Sequence, residues 1–168
     1  MTISLLNRDH DRNSFDCGDP DLNFFLKNLS SSFLKRNLCG IHILEDETDP
    51  CKILGFYTIS PISIEYKKLP LDVRKKYPPK TDKIPAYLLG KLAVSERSKG
   101  KGFGEILLMD ALALIAEESK KMGGAFVLVD AKNEKAKSFY EKYGFIEFPD
   151  NPLCLFLPVK TIEATKFR

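Results

Sequence analysis

Two strings in this 168-residue chain hold residue types that can do chemistry together. The first is Arg97-Ser98-Lys99-Gly100-Lys101-Gly102-Phe103-Gly104, three cations interleaved with three glycines. Backbone N–H groups of such a turn can converge on an anion, because glycine lets a phosphate approach without a Cβ in the way. The second is Asn133-x-x-Ala136-x-x-Phe139-Tyr140-x-x-x-Gly144-Phe145. A tyrosine phenol, with a pKa of about 10, is protonated at neutral pH and can give its proton to a departing thiolate. Tyr143, one turn on, is the fallback acid.

These strings need elements to hold them. The apolar run Leu88, Leu89, Leu92, Ala93, Val94 reads as a buried strand, and Phe103, Ile106 and Leu107 open the apolar face of a helix over about Gly102–Met122. A helix start adds unpaired N–H groups and the positive end of its dipole. The glycine spacing matches neither a Walker A loop nor a Rossmann fingerprint. Ala125–Asp130 reads as the next strand. Glu134–Tyr143 reads as a short helix ended by Gly144, and Phe145–Phe148 and Leu153–Val159 as the last strands. Upstream, Asp19-Pro20-Asp21 starts a helix that runs to about Leu38, with Gly40 permitting the exit. Ile41–Leu44 and Ile53–Ile59 form a hairpin, and Ile62–Tyr66 extends the sheet. Lys67–Pro85 is a long loop with a short helix near Leu71–Lys76. The order predicts a single α/β (α+β) domain over residues 1–160, a mixed central sheet flanked by helices, followed by a loosely held tail, 161–168.

Composition narrows the function classes. Hydrophobic content of 43% and charged content of 29% are those of a globular chain. No run reaches membrane-span length and no signal-peptide core is present, so a cytoplasmic protein is expected. Four scattered cysteines and two histidines give neither a metal site nor a disulfide framework. Net charge is +3, but residues 67–83 carry +5, from Lys67, Lys68, Arg74, Lys75, Lys76, Lys80 and Lys83 against Asp72 and Asp82. Residues 91–101 carry a further +3 and include Lys91. Basic charge thus gathers beside the anion motif and suits a polyanionic partner.

The string Arg97–Gly104 resembles the Arg/Gln-x-x-Gly-x-Gly/Ala motif with which the GNAT superfamily of N-acetyltransferases grips the pyrophosphate of acetyl-CoA. The Asn133–Phe145 string resembles that superfamily's second motif, and the two occur in the right order. Phe15-Asp16-Cys17-Gly18, LGFYTISP and Ile84–Val94 are similar to the TacT-type GNAT toxins, over residues 13–157. The resemblance implies a GNAT fold and acetyl-CoA as acetyl donor. It implies Tyr140 as the catalytic acid. It places Leu92, Ala93, Val94, Lys99, Gly100, Lys101, Gly102, Phe103, Gly104, Asn133 and Phe139 along the cofactor, Asn133 serving equally well as a helix cap. It also implies an aminoacyl-tRNA acceptor, met by the 67–83 cations and Lys91, a homodimer, and a neutralising ribbon-helix-helix antitoxin. The family often has arginine at the position of Lys91, so the charge is kept and the bidentate contact is not.

A general base is not evident. His10, His42, Glu65 and Glu96 are the available groups. An α-amino group, with a pKa near 8 and lowered by esterification beside it, needs less help than a lysine at about 10.4. An aminoacyl ester therefore suits this site better than a protein lysine. The alternatives are a metabolic GNAT enzyme acting on a small amine or protein N-terminus, and a non-catalytic acetyl-CoA-binding module.

Overall fold

The computed structural model describes residues 1–165. Its seven strands are β1 (Ile3–Leu5), β2 (Gly40–Glu45), β3 (Ile53–Glu65), β4 (Lys83–Val94), β5 (Phe126–Asp130), β6 (Ile146–Phe148) and β7 (Asn151–Pro158). They lie in one mixed sheet in the order β1-β2-β3-β4-β5-β7-β6. β4 and β5 are parallel, with Ala86, Tyr87 and Leu88 opposite Phe126, Val127 and Leu128. The β1/β2, β2/β3, β5/β7 and β6/β7 pairs are antiparallel. A parallel pair needs a crossover, and α4 (Phe103–Met122) supplies it. By contact the chain divides into two compact units, Met1–Ser60 with Leu89–Ala111, and Pro61–Leu88 with the chain from Leu112 onward.

The first unit is built on Phe15, Phe25, Leu26, Ile41, Ile43 and Phe56, all buried. Phe15 meets Phe56 edge-on at 5.5 Å and Phe25 meets Phe33 at 5.1 Å. The helix expected to Leu38 is shorter and interrupted. It consists of α1 (Pro20–Phe24), a π-helical turn Phe25–Leu29 and α2 (Ser30–Lys35). Asn28 Nδ2 donates to the Phe24 carbonyl at 3.2 Å and Ser30 Oγ to that of Leu26 at 2.6 Å, so side chains serve carbonyls within the widened turn. The exit is made by Asn37, at φ 56°, rather than Gly40, which already begins β2.

The second unit packs Ile64, Leu69, Val73, Ile84, Phe126, Phe148 and Phe156. It holds a 3₁₀ turn Tyr66–Lys68, α3 (Leu71–Arg74) and α5 (Glu134–Glu141). Two strands read separately, Ile53–Ile59 and Ile62–Tyr66, are one strand of 13 residues. β4 begins five residues before Leu88 and contains Pro85. The expected loose tail instead opens with α6 (Val159–Ala164), whose Val159 and Ile162 are buried. Residues 166–168 of that tail lie outside the described residues. Among the described residues no helix is long and apolar enough to cross a membrane. No cluster of three metal-ligating side chains occurs among them either.

Candidate active site

In the first unit β4 ends at Val94 and the Ser95 N–H donates to the Leu54 carbonyl at 2.8 Å, fixing the strand's exit. A 3₁₀ turn, Glu96–Ser98, follows, with Ser98 buried. Gly100 and Gly102 then take φ of 77° and 79°, and a Cβ at either would meet no heavy atom within 4 Å. Left-handed residues alternating with ordinary ones turn successive N–H groups toward one side, and α4 begins at once at Phe103. The main chain at these two glycines therefore faces open space, with Arg97 and Lys101 exposed beside it. Lys99 behaves differently. Its Nζ donates to the Cys17 carbonyl at 2.9 Å and pairs with the Glu96 carboxylate. Of the β4 residues read as cofactor-facing, Ala93 is buried among the Phe25–Phe56 core, while Leu92 and Val94 are half-buried. The Lys91 ammonium lies 4.3 Å from the Phe25 ring centroid, a cation–π contact.

In the second unit Asn133 is the N-cap of α5, its Oδ1 accepting from the Ala136 N–H at 2.9 Å. At the other end Gly144, at φ 90°, closes the helix. Its N–H donates to the Glu141 carbonyl and that of Phe145 to the Tyr140 carbonyl. Tyr140 is 8% exposed and is met edge-on by Phe139 at 5.2 Å and Phe145 at 5.4 Å. Burial pushes its phenol up to about 12, so it is protonated throughout the physiological range. Tyr143 is half-buried against Phe139.

A family model described as an acetyltransferase (GNAT) domain matches residues 37–147. This chain belongs to the GNAT acetyltransferase family. Among its relatives, "Probable toxin TacT" of Sinorhizobium fredii is 32% identical, the match covering 92% of this chain and 88% of the relative. The tRNA-acetylating toxin of Mycobacterium tuberculosis is 30% identical over 92% of this chain and 89% of the relative. Among solved structures, AtaT complexed with acetyl-methionyl-tRNAfMet superposes with a TM-score of 0.89 at 34% identity, over 97% of both chains. The Tyr-to-Phe mutant of AtaT, bound to the C-terminus of its antitoxin AtaR and to acetyl-CoA, gives 0.82 at 29% identity, over 99% of this chain and 98% of that one.

For this acetyltransferase the four groups weighed as bases are each engaged. Lys67 and Lys68 approach the Glu65 carboxylate to 3.3 and 3.6 Å, and their hydrogen bonds and charge hold it below its ordinary value. Glu96 is paired with Lys99. His10, buried, has Nε2 3.2 Å from Glu45 Oε1. His42 stacks on Tyr57 at 4.6 Å, and burial, outweighing the Asp110 charge, lowers its pKa and keeps it neutral.

The basic segment is uneven. Lys75, Lys76, Lys80 and Lys83 are exposed, whereas Lys67 and Lys68 share Glu65. Arg74 is half-buried, its Nε enclosed, and its carbonyl accepts from the Tyr66 hydroxyl at 3.0 Å. A cavity of about 440 Å³ in this unit is walled by Ile62, Ile64, Leu128, Phe148 and Cys154, with Glu65 and Lys68 at its polar side. Burial first, and then the Asp130 hydrogen bond and charge, push the Cys154 thiol up to about 12.

Two features carry no signal in the sequence. Tyr57 OH donates to Asp110 Oδ2 at 2.5 Å, tying β3 to α4. The Asp16–Gly18 turn meets the Glu96–Lys99 turn across some eighty residues of chain. Only the resemblance of the string Phe15–Gly18 marks the latter, and it assigns the string no role.

Proposed function

We propose that this chain is an N-acetyltransferase that moves acetyl from acetyl-CoA to the α-amino group of an aminoacyl-tRNA and thereby blocks translation as a toxin. The observation that carries the reading is the open pair of left-handed glycines at the start of α4, and the second unit separately supplies a buried, protonated Tyr140. The kinship with tRNA-acetylating toxins supports it.

In this reading the N–H groups of Lys99 to Gly104 hold the pyrophosphate, and β4 N–H groups at Leu92 to Val94 polarise the thioester carbonyl. Phe139 borders the pantetheine arm, and Asn133 caps the helix that carries Phe139 and Tyr140. The amine nitrogen forms a bond to the thioester carbon, giving a tetrahedral oxyanion, and the carbon–sulfur bond then breaks. Tyr140 gives its proton to the sulfur as that bond opens, and the acidic ammonium of the adduct returns one to the phenol. No protein base is needed if the amine arrives neutral, as an aminoacyl ester partly does at neutral pH. Lys67, Lys68, Arg74, Lys75, Lys76, Lys80, Lys83 and Lys91 meet acceptor-stem phosphates, which sets affinity and salt dependence without reading bases. A cytoplasmic homodimer neutralised by a ribbon-helix-helix antitoxin is proposed with this activity, from the resemblance to TacT-type toxins and the complex of the similar AtaT with its antitoxin AtaR. Light scattering of the purified protein tests the dimer.

The deciding experiment incubates labelled acetyl-CoA with total charged tRNA, digests the RNA and weighs the amino-acid–adenosine ends. Acetylated ends establish the reaction and name the amino acid. Label in free amines or protein alone rejects the tRNA acceptor and leaves a metabolic acetyltransferase.

A further inference from the structure

The turn before α1 is bound to the turn that opens the glycine cradle. The Glu96 N–H donates to the Asp16 carbonyl at 2.8 Å, and Lys99 Nζ to the Cys17 carbonyl at 2.9 Å. Gly18, at φ 79°, faces the Glu96 carboxylate so closely that a Cβ would lie 2.0 Å from Oε1. The turn is itself fixed to α1. Asp16 Oδ1 accepts from the Gly18 N–H and from Asn23 Nδ2, both at 2.8 Å. Asn23 Oδ1 accepts in return from the Cys17 N–H at 2.9 Å and from Cys17 Sγ at 3.2 Å. Those two hydrogen bonds to Asp16 hold its carboxyl below the ordinary value, so it is ionised at any working pH. Phe15 and Cys17 on either side are buried in the core.

A Cβ at Gly100 or Gly102 would meet nothing within 4 Å, so no neighbouring group packs on the loop at those positions. Its anchors are α4 on one side and this turn on the other. We propose that Asp16, Gly18, Asn23, Glu96 and Lys99 form a brace that positions the pyrophosphate cradle. The Lys99 ammonium in this arrangement holds the protein, while Arg97 and Lys101 are left for the ligand. The inference rests on acetyl-CoA as donor and concerns only how its site is shaped.

Gly18→Ala tests it without changing charge and from outside the cradle. It should raise the KM for acetyl-CoA and the Kd for CoA, measured calorimetrically, about tenfold, with kcat at saturating donor within twofold of wild type. Glu96→Gln, which keeps shape, should weaken CoA about threefold. Were Lys99 a phosphate ligand, releasing it from Glu96 would tighten CoA instead, and tightening or no change overturns the brace. Lys99→Met should weaken CoA while leaving the salt dependence of Kd as in wild type, whereas Lys101→Met should flatten it. A flattened slope in Lys99→Met makes that lysine a direct ligand and also overturns the proposal. Wild-type protein that fails to bind CoA rejects the donor itself, an outcome distinct from wild-type binding that these variants leave intact.

Discussion

The cradle at Gly100–Gly104 and the helix α5 are built on opposite plans. The cradle offers main-chain N–H groups, has open space beside Gly100 and Gly102, and is tied through Lys99 to a turn far away in sequence. α5 offers one side chain, Tyr140, and is held by its neighbours: Asn133 caps one end, Gly144 closes the other, and Phe139 and Phe145 clasp the ring. A site that binds a large anion needs many N–H groups aimed together, which only a loop can do. A site that moves one proton needs a single group at a set depth, which a capped helix does well. Faults should follow the same division, distant substitutions damaging donor binding and local ones damaging turnover.

The sharpest test of that contrast is Tyr140→Phe. Turnover should fall about a hundredfold, within the usual range for losing a general acid, with Kd for CoA unchanged. Equal turnover moves the acid role elsewhere. Gly102→Glu puts a carboxylate in the cradle at a left-handed position and should weaken CoA binding at least tenfold. Unchanged binding removes the loop from the site. Smaller effects are expected at the ends of α5. Gly144→Ala forces an L-residue to φ 90° and should cost about 1–2 kcal/mol in chemical denaturation. There is room for the methyl itself, the nearest atom being Leu157 Cδ1 at 3.6 Å, so the cost is one of backbone. Asn133→Ala should cost about 1 kcal/mol and lower kcat without raising the KM for acetyl-CoA. A rise in that KM alone would make Asn133 a cofactor contact.

The smallest effect is in pH. Burial raises the Tyr140 pKa in the folded chain to about 12, from an ordinary value near 10. Its contribution is therefore complete below pH about 10 and is lost as pH rises toward 12, because the unfolded chain ionises first. Melting midpoints at neutral pH and at pH about 11 should diverge less in Tyr140→Phe than in wild type, by about 2–4 °C.

Much of this was legible from local patterns. The strand–glycine–helix string and the Asn133–Gly144 string mark their own elements, because caps, apolar spacing and glycine punctuation act over a few residues. Where the reading slipped, longer-range effects prevailed. Pro85, the expected end of the long loop, sits in β4 just before the β5-paired residue Ala86 and accepts at its carbonyl from the Ala125 N–H. The helix after Pro20 was read straight through a π turn whose carbonyls Asn28 and Ser30 serve. α6 was missed because its burial comes from packing against the rest of the unit rather than from any signal within Val159–Ala164. The brace was invisible for the same reason, since nothing near Asp16 announces Glu96 or Lys99.

The contact from Lys99 to Cys17 spans 82 positions of the chain. Closing so long a segment is slow compared with forming a helix or a hairpin. During synthesis the cradle therefore cannot take shape until Lys99 and the start of α4 have emerged, and Tyr140 comes later still. A growing chain lacks the full set of candidate site residues until both have been made. The fold thus delays its own chemistry until Tyr140 has joined the chain.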